Sequence, residues 1–333
     1  MSTPNAPWSM NLHAPFVEVA WTESGWQAQA VGPRAFRPAQ RWIGTETEPS
    51  EVANRLVDAG VSRSVRFRNL TEGSWDLWAV EPSELSAPPE GASLPSGARA
   101  CLRSLDRTVE AWVPSPRLFV TDMDSTLIRE EVIDELARCG GRYAEVAAVT
   151  ERAMRGELDF EASLRARVRA LEGLPESVFR QVRDRIHATE GADRTIGALA
   201  TLGCRTAVVS GGFLEVVGPF AKDLGIDHAF ANRLAVRDGH LTGELAAPVV
   251  DGAEKAKTLQ RLMNEHGIAK AAVVAVGDGA NDGPMLDAAG IGIAFCAKET
   301  LRARTLHRVD RRRLDHTMHF WGLSDQDVAA LAG

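Results

Sequence analysis

The stretch LFVTDMDST, residues 118–126, decides the fold, because a short apolar run leads directly into two aspartates. Leu118, Phe119 and Val120 have the length and composition of a strand that is buried on both faces. Asp122 and Asp124 follow at the end of this run. Open α/β sheets bind ligands at the carboxyl ends of their strands, so the pair stands where a site would form. Taken alone, such a pair is also consistent with capping of the next helix.

Three further apolar runs downstream resemble the first, at residues 207–209, 271–276 and 291–295. They alternate with helical patterns, which predicts an α/β fold with a doubly wound, Rossmann-like parallel sheet. The long helical stretch 130–191 has nearly balanced charge and is too long for one crossover, so it predicts an inserted helical cap. The segment 233–243 contains Asp238-Gly239 between apolar residues and predicts a β-hairpin.

A second, smaller domain is predicted before this one. Residues 81–97 contain four prolines and two glycines, which is typical of a linker. Upstream of it, strand patterns and one helical pattern predict a small α+β module, with strands at 16–21, 26–31, 65–68 and 75–80 and a helix at 50–59. The predicted domains are therefore residues 1–97, including the linker, and 98–333.

Composition excludes several classes of protein. The chain has 333 residues and a formal net charge of −7, which gives no general attraction to nucleic acid or to an anionic membrane surface. The four cysteines form no CxxC pair, and no apolar run approaches the length that spans a bilayer. We therefore expect a cytoplasmic protein without a polyanionic partner.

Residues that can bind a metal ion or a phosphate follow the other predicted strands as well. The run GDGAND, residues 277–282, adds two carboxylates, and converging carboxylates with oxygen ligands suit Mg²⁺. Ser210-Gly211-Gly212 offers a hydroxyl and accessible backbone amides to a phosphate. Lys257, at the start of a helical pattern, is the remaining cation, although a lysine in such a position is usually a surface residue.

Four motifs follow one another along the chain: D-x-D-S-T, S-G-G, an isolated lysine and G-D-G-x-N-D. In this order they resemble the motifs of the haloacid dehalogenase-like phosphatases. The segments 130–135, 151–169, 230–234 and 294–298 resemble the phosphoserine phosphatases of that superfamily. The resemblance covers residues 117–298. It implies Mg²⁺-dependent hydrolysis of O-phospho-L-serine to L-serine and phosphate through an aspartyl-phosphate intermediate.

The resemblance also implies a role for each residue of the core site. Asp122 would be the nucleophile and Asp124 the general acid and base. Mg²⁺ would be held by Asp122, the main-chain carbonyl of Asp124, and Asp278. The phosphoryl oxygens would be bound by Ser210, Gly211 and Lys257, with Asn281 and Asp282 completing the network.

In the predicted cap, the resemblance implies recognition of the serine moiety. Arg167 would bind the substrate carboxylate and Glu131 its ammonium group, while Met154 and Phe160 would close over the substrate. A guanidinium is well suited to hold a carboxylate with two hydrogen bonds. Without the resemblance, an arginine beside an apolar helix face would be expected to extend to solvent or to pair with an acid.

Other functions remain open on the sequence. A dehalogenase has no use for a second acid such as Asp124, whereas a phosphatase for another small monoester, or a phosphotransferase, would use the same residues. A regulatory protein with a vestigial catalytic part is a further alternative, in which the N-terminal module, of about the size of an ACT domain, would sense an amino acid. The oligomeric state cannot be read from the sequence, and a homodimer is the default expectation.

Overall fold

The computed structural model describes residues 16–22, 25–31, 40–45, 64–71, 74–80, 116–305, 307–321, 323 and 325–333. The chain divides into two compact units. One comprises residues up to Ser115 together with Asp315–Leu331, and the other is Pro116–Leu314.

The first unit contains a five-stranded antiparallel sheet in the order β2-β1-β4-β5-β3. Its strands are β1 Phe16–Thr22, β2 Gly25–Val31, β3 Gln40–Thr45, β4 Ser64–Thr71 and β5 Ser74–Val80. The four predicted strands are confirmed, and β3 was not predicted. The predicted helix at 50–59 and the linker at 81–97 lie outside the described residues, so the α+β module and its boundary stay predictions.

The second unit is built on a six-stranded parallel sheet in the order β13-β12-β11-β6-β7-β8, which confirms the predicted α/β fold. Its strands are β6 Leu118–Thr121, β7 Arg205–Phe213, β8 His228–Asn232, β11 Val273–Gly277, β12 Ile291–Phe295 and β13 His307–Val309. All residues of β6 and β11 are buried, as expected for central strands covered on both faces.

The helices are α1 Val132–Cys139, α2 Tyr143–Met154, α3 Phe160–Arg169, α4 Val178–Arg183, α5 Ala192–Thr201, α6 Leu214–Leu224, α7 Gly252–Glu265, α8 Gly283–Ala288, α9 Glu299–Arg302 and α10 Asp325–Ala332. Short 3₁₀ segments occur at Lys270–Ala272, Ala280–Asp282 and Leu314–Trp321. Helices α1 to α4 fall inside the segment predicted as a cap, 130–191.

One face of the sheet packs against α7 and α8 through aliphatic side chains. Val120, Val209 and Ala275 contribute from the sheet, and Leu259 and Leu262 from α7. Burial of each large aliphatic side chain contributes about 1.5–3 kcal/mol, so this layer holds the strand ends in fixed register. Because the strands are parallel, their carboxyl ends all meet at one edge.

The predicted hairpin is confirmed by the antiparallel strands β9 Leu234–Arg237 and β10 His240–Leu245. Asp238 and Gly239 have φ of 51° and 73°, the left-handed conformations that a type I′ turn requires. The hairpin also extends the cap, because Leu241 N–H donates to Leu174 O at 2.8 Å and Leu241 O accepts from Gly173 N–H at 2.8 Å. This association joins two segments far apart in sequence and was not predicted.

Candidate active site

Asp122 leaves the carboxyl end of β6 in a fixed position. Its N–H donates to Val276 O of β11 at 2.9 Å, and its Oδ1 accepts from Met123 N–H at 2.7 Å. The side chain is buried, and its Oδ2 makes no hydrogen bond with the described residues. One carboxylate oxygen is therefore held by the protein, and the other is available to a ligand.

A lysine is paired with Asp122, but it is Lys255 and not Lys257. Lys255 Nζ lies 2.8 Å from Asp122 Oδ1 and 2.7 Å from Asp282 Oδ1, and its side chain is fully buried. Burial by itself lowers the pKa of Lys255, but the two carboxylates raise it above its usual value, so this lysine is charged.

The prediction of Lys257 as the phosphate-binding cation is wrong. Its side chain is 73% exposed and pairs with Glu254 at 3.5 Å on the surface of α7. Two residues correspond to about 200° around an α-helix, so Lys255 and Lys257 lie on opposite faces. Asp251 caps α7 by accepting from Glu254 N–H at 2.8 Å, and this start places Lys255 on the buried face.

Asp282 supports both Lys255 and the loop after β11. Its Oδ2 accepts from the N–H groups of Asp278 and Gly279, at 3.1 and 3.0 Å. Gly277 makes room for this arrangement, because a Cβ there would clash with the Asp282 carboxylate. Asn281 lies in the same turn, with its side-chain oxygen over Gly279.

Three buried carboxylates converge here, those of Asp122, Asp278 and Asp282, with ligand oxygens within 4.8 Å of one another. Burial, reinforced by Asp282, raises the pKa of Asp122 well above its usual value although Lys255 opposes this. Burial also raises the pKa of Asp278 to about 6, while Lys298 at 3.5 Å lowers it. Lys255 and Lys298 thus offset the charge of the three carboxylates only in part, and the donor set fits a hard divalent cation.

Asp124 stands in a different environment from Asp122. It lies in a tight irregular turn, Met123–Leu127, where its Oδ1 accepts from Val132 N–H at 3.0 Å. Burial, followed by the charge of Glu131, raises its pKa to about 8. A pKa in this range allows Asp124 to carry a proton near neutral pH and to donate it, whereas Asp122 is paired with a charged lysine.

Ser210, Gly211 and Gly212 form the end of β7 beside these aspartates. Ser210 is buried, and its Oγ accepts from Gly212 N–H at 2.8 Å. A Cβ on Gly212 would lie 3.1 Å from Asp124 Oδ2, so a glycine allows the two segments to approach closely. The fold thus brings together the predicted site residues Asp122, Asp124 and Ser210.

Asn232 is a positioning residue to which the sequence analysis gave no role. Its Nδ2 donates to Gly211 O at 2.8 Å, and its Oδ1 accepts from Val250 N–H at 2.8 Å. It therefore ties β7 to the segment that leads into α7. A signal was present in the sequence, because Asn232 belongs to the segment 230–234 that resembles the phosphoserine phosphatases.

The cap residues line a cavity of about 280 Å³ that includes Met154, Phe160, Ser163 and Arg167. Arg167 donates to Ser163 O at 3.4 Å and forms no ion pair with the described residues. Burial lowers its pKa, while Glu131, Asp134 and Asp124 act in the opposite direction.

Met154 and Phe160 are unusually exposed for large apolar side chains, at 84% and 37%. Phe160 lies over Gly211, since a Cβ there would be 3.3 Å from the end of its ring. Glu131 accepts from Ser125 Oγ at 2.9 Å. The cap cavity therefore offers a guanidinium and apolar groups, with Phe160 reaching the end of β7.

A larger cavity of about 430 Å³ opens at the opposite end of the sheet, with Arg117, Cys204, Arg205 and His266 in its wall. Those residues lie at or before the amino ends of the strands or after α7, so this cavity is no part of the carboxylate site.

A second group of ligand-type side chains lies in the other unit, formed by His316, His319 and Asp325. The two rings stack with centroids 4.7 Å apart, and His319 Nε2 is 3.0 Å from Asp325 Oδ1. We assign no metal to this group.

Comparison with known proteins shows the family of this chain. The family model for haloacid dehalogenase-like hydrolases matches residues 119–287, from β6 to α8. The chain belongs to the haloacid dehalogenase-like hydrolases. It is therefore a hydrolase, and the matched region contains the convergent aspartates and Lys255.

Within the haloacid dehalogenase-like hydrolases, the chain is similar to proteins named phosphoserine phosphatase. One from Lactococcus lactis is 48% identical over 203 residues, which cover 61% of this chain and 94% of that protein. One from Archaeoglobus fulgidus is 48% identical over 186 residues, 56% of this chain and about half (54%) of that longer protein. A solved structure described as a phospho-aspartyl intermediate analogue of phosphoserine phosphatase is 43% identical, with a TM-score of 0.58, and the match covers 62% of this chain and 99% of that chain.

Proposed function

We propose that this chain is a phosphoserine phosphatase, which hydrolyses O-phospho-L-serine to L-serine and phosphate. The observation that carries the proposal is the contrast between two neighbouring aspartates. Burial raises the pKa of both, but Asp122 is paired with the charged Lys255 and keeps one oxygen without a hydrogen bond, whereas Asp124 forms no ion pair with the described residues and its pKa is raised to about 8. A nucleophile and a general acid thus lie two residues apart, as an aspartyl-phosphate mechanism requires.

In the first step, Asp122 Oδ2 attacks phosphorus and the bond from phosphorus to the serine oxygen breaks. Asp124 donates its proton to the leaving oxygen, which departs as the hydroxyl of serine. Asp124 Oδ1 is held by Val132 N–H, so we place the transferred proton on Oδ2, the oxygen closest to Gly212. In the second step, the Asp124 carboxylate takes a proton from the water that attacks the aspartyl phosphate, which releases phosphate and restores Asp122.

Positive charge and hydrogen-bond donors must stabilise the phosphoryl group during both steps. Lys255 supplies a buried charge beside Asp122, and Ser210, the amide of Gly211 and Asn281 are proposed to bind phosphoryl oxygens. Asp122, Asp278 and the main-chain carbonyl of Asp124 are the proposed Mg²⁺ ligands, with Asp282 supporting the loop behind them. The bound ion would offset the carboxylate charge and polarise the phosphoryl group.

The proposal is tested by a substrate screen on the purified protein. We expect rapid hydrolysis of L-phosphoserine with Mg²⁺, much slower hydrolysis of phosphothreonine and sugar phosphates, and loss of activity in EDTA that excess Mg²⁺ restores. Equal rates for all the monoesters would contradict the proposed substrate. Phosphorylated alcohol among the products when an acceptor alcohol is added would indicate a phosphotransferase instead.

Arg167 is proposed to bind the substrate carboxylate, since its side chain is half-buried, forms no ion pair with the described residues and lies beside the apolar cap side chains. Replacing Arg167 by Ala is expected to raise KM for phosphoserine by about 10- to 100-fold, the range for loss of a charge-assisted hydrogen bond of about 1.5–3 kcal/mol. An aryl phosphate has no carboxylate to lose, so its KM should change less than about threefold. Steady-state kinetics on both substrates measure this. Equal losses would exclude carboxylate binding by Arg167.

Glu131 is proposed to bind the substrate ammonium group, with Met154 and Phe160 covering the substrate. A homodimer, a cytoplasmic location and amino-acid sensing by the N-terminal module stay predictions from the sequence. Within the described residues, no helix is both long and apolar enough to cross a membrane.

A further inference from the structure

The arginine run Arg311-Arg312-Arg313 follows β13 and matches no motif in the sequence analysis. The structure places it at the carboxyl edge of the sheet, because Cys296 N–H at the end of β12 donates to Val309 O at 2.7 Å. From there the guanidinium of Arg312 reaches the turn after β6, where its Nη1 donates to Ser125 O at 3.1 Å.

Ser125 is a residue whose conformation needs support. It has φ of 55°, a left-handed conformation that a side chain makes unfavourable. Its N–H donates to Glu130 O at 3.2 Å, and its Oγ donates to Glu131 Oε1 at 2.9 Å. With Arg312 on its carbonyl, all three polar groups of Ser125 are used, and a continuous chain of contacts runs from Arg312 through Ser125 to Glu131.

The same segment also holds the return connection from the cap. Leu314 N–H donates to Glu190 O at 2.8 Å, and Arg313 Nε lies 3.9 Å from Glu190 Oε1. The two cap connections pair with each other as well, since Thr189 N–H donates to Leu127 O at 2.9 Å. Residues 312–314 therefore bind both connections between the sheet and the cap.

Arg312 differs from an ordinary surface arginine in how its charge is used. It forms no ion pair with the part of the chain that is described, and a charge-assisted hydrogen bond to a carbonyl is stronger than a neutral one. Both Arg311 and Arg312 are exposed, and the contrast lies in their contacts, because the Arg311 side chain makes no hydrogen bond or ion pair with any described residue.

We propose that Arg312 is a positioning residue for substrate selection, which fixes Glu131 through Ser125. This inference rests on the proposed function, in which Glu131 binds the ammonium group of phosphoserine. Loss of the Arg312 contact increases the mobility of the turn at Ser125, and the Glu131 carboxylate is then no longer held in one position. Recognition of an amine-bearing substrate is then weakened more than hydrolysis of a monoester that lacks an amine.

The test compares Arg312→Ala with Arg311→Ala, two variants with the same change in charge. Arg312→Ala is expected to raise KM for phosphoserine about 3- to 10-fold, the range for one hydrogen bond of ordinary net strength, with less than a twofold effect on an aryl phosphate. Arg311→Ala should match the wild type on both substrates, and Arg312→Lys should restore part of the loss. Equal losses on the two substrates, or equal effects of the two alanine variants, would overturn the proposal.

Hydrogen exchange of the peptides that cover residues 123–132 gives a readout without substrate. Faster exchange is expected in Arg312→Ala and not in Arg311→Ala, and unchanged exchange in Arg312→Ala would refute the contact. If the wild type did not hydrolyse phosphoserine while exchange still responded to Arg312, the proposed function would fail and the hold of Arg312 on the Ser125 turn would stand. The two failures are thus distinguishable.

Discussion

Asp122→Asn is expected to abolish phosphoserine hydrolysis, with kcat reduced on the order of 10⁴-fold or more, since the substitution removes the attacking carboxylate itself. An amide oxygen can still accept from Met123 N–H and from Lys255, the two groups that Asp122 Oδ1 now binds. The fold should therefore survive, and the variant also removes a buried carboxylate whose pKa is raised by burial. Single-turnover kinetics with phosphoserine measure the loss.

Two controls separate chemistry from folding in this experiment. Thermal unfolding should show a Tm close to that of the wild type, and the wild type but not Asp122→Asn should form a stable beryllofluoride complex that mimics the aspartyl phosphate. Mass spectrometry of each preparation excludes deamidation of Asn back to Asp. Normal turnover in a verified Asp122→Asn preparation would contradict the covalent mechanism.

The parts of the site that lie close together in sequence were predictable. Asp122 and Asp124 follow an apolar run whose length and composition define a buried strand, and parallel strands deliver their ends to one edge. Asp278 and Asp282 follow from the same argument for β11. The Asp-Gly turn of the hairpin is equally local, because left-handed conformations at two successive residues select few sequences.

The contacts that were missed depend on tertiary packing. Asn232 reaches Gly211 only because β8 pairs with β7, and the hairpin joins the cap through Leu174 and Leu241. Arg312 and Ser125 are 187 residues apart. No pattern of spacing within a single element encodes such pairs, since each segment alone is compatible with many partners.

The error over the lysine has a different cause, because the signal was in the sequence. Lys255, Thr258, Leu259 and Leu262 form the buried face of α7 at the spacing i, i+3, i+4 and i+7. A lysine in line with two leucines marks a cation on the inner face of the helix. Counted from the Asp251 cap, the same periodicity turns Lys257 toward solvent.

The two lysines of α7 therefore provide a matched pair for the second large effect. Lys255→Met is expected to lower kcat on the order of 10²- to 10³-fold, the loss typical of removing one buried group that stabilises transition-state charge. Lys257→Ala should stay within about twofold of the wild type, because its exposed side chain forms an ion pair with Glu254 and with no other described residue. Steady-state kinetics with phosphoserine and Mg²⁺ measure the kcat of both variants.

Lys255→Met should also destabilise the fold, since Lys255 Nζ bridges two buried carboxylates. Loss of one partner from a buried ion pair costs about 3–5 kcal/mol, whereas Lys257→Ala should change the free energy of unfolding by less than about 0.5 kcal/mol. Urea unfolding in EDTA and in Mg²⁺ measures both values and shows how far the metal replaces the missing charge. If the ion binds among Asp122, Asp278 and Asp282, Mg²⁺ should recover more stability in Lys255→Met than in the wild type. Activity lost in Lys257→Ala but kept in Lys255→Met would show that the buried lysine has no part in catalysis.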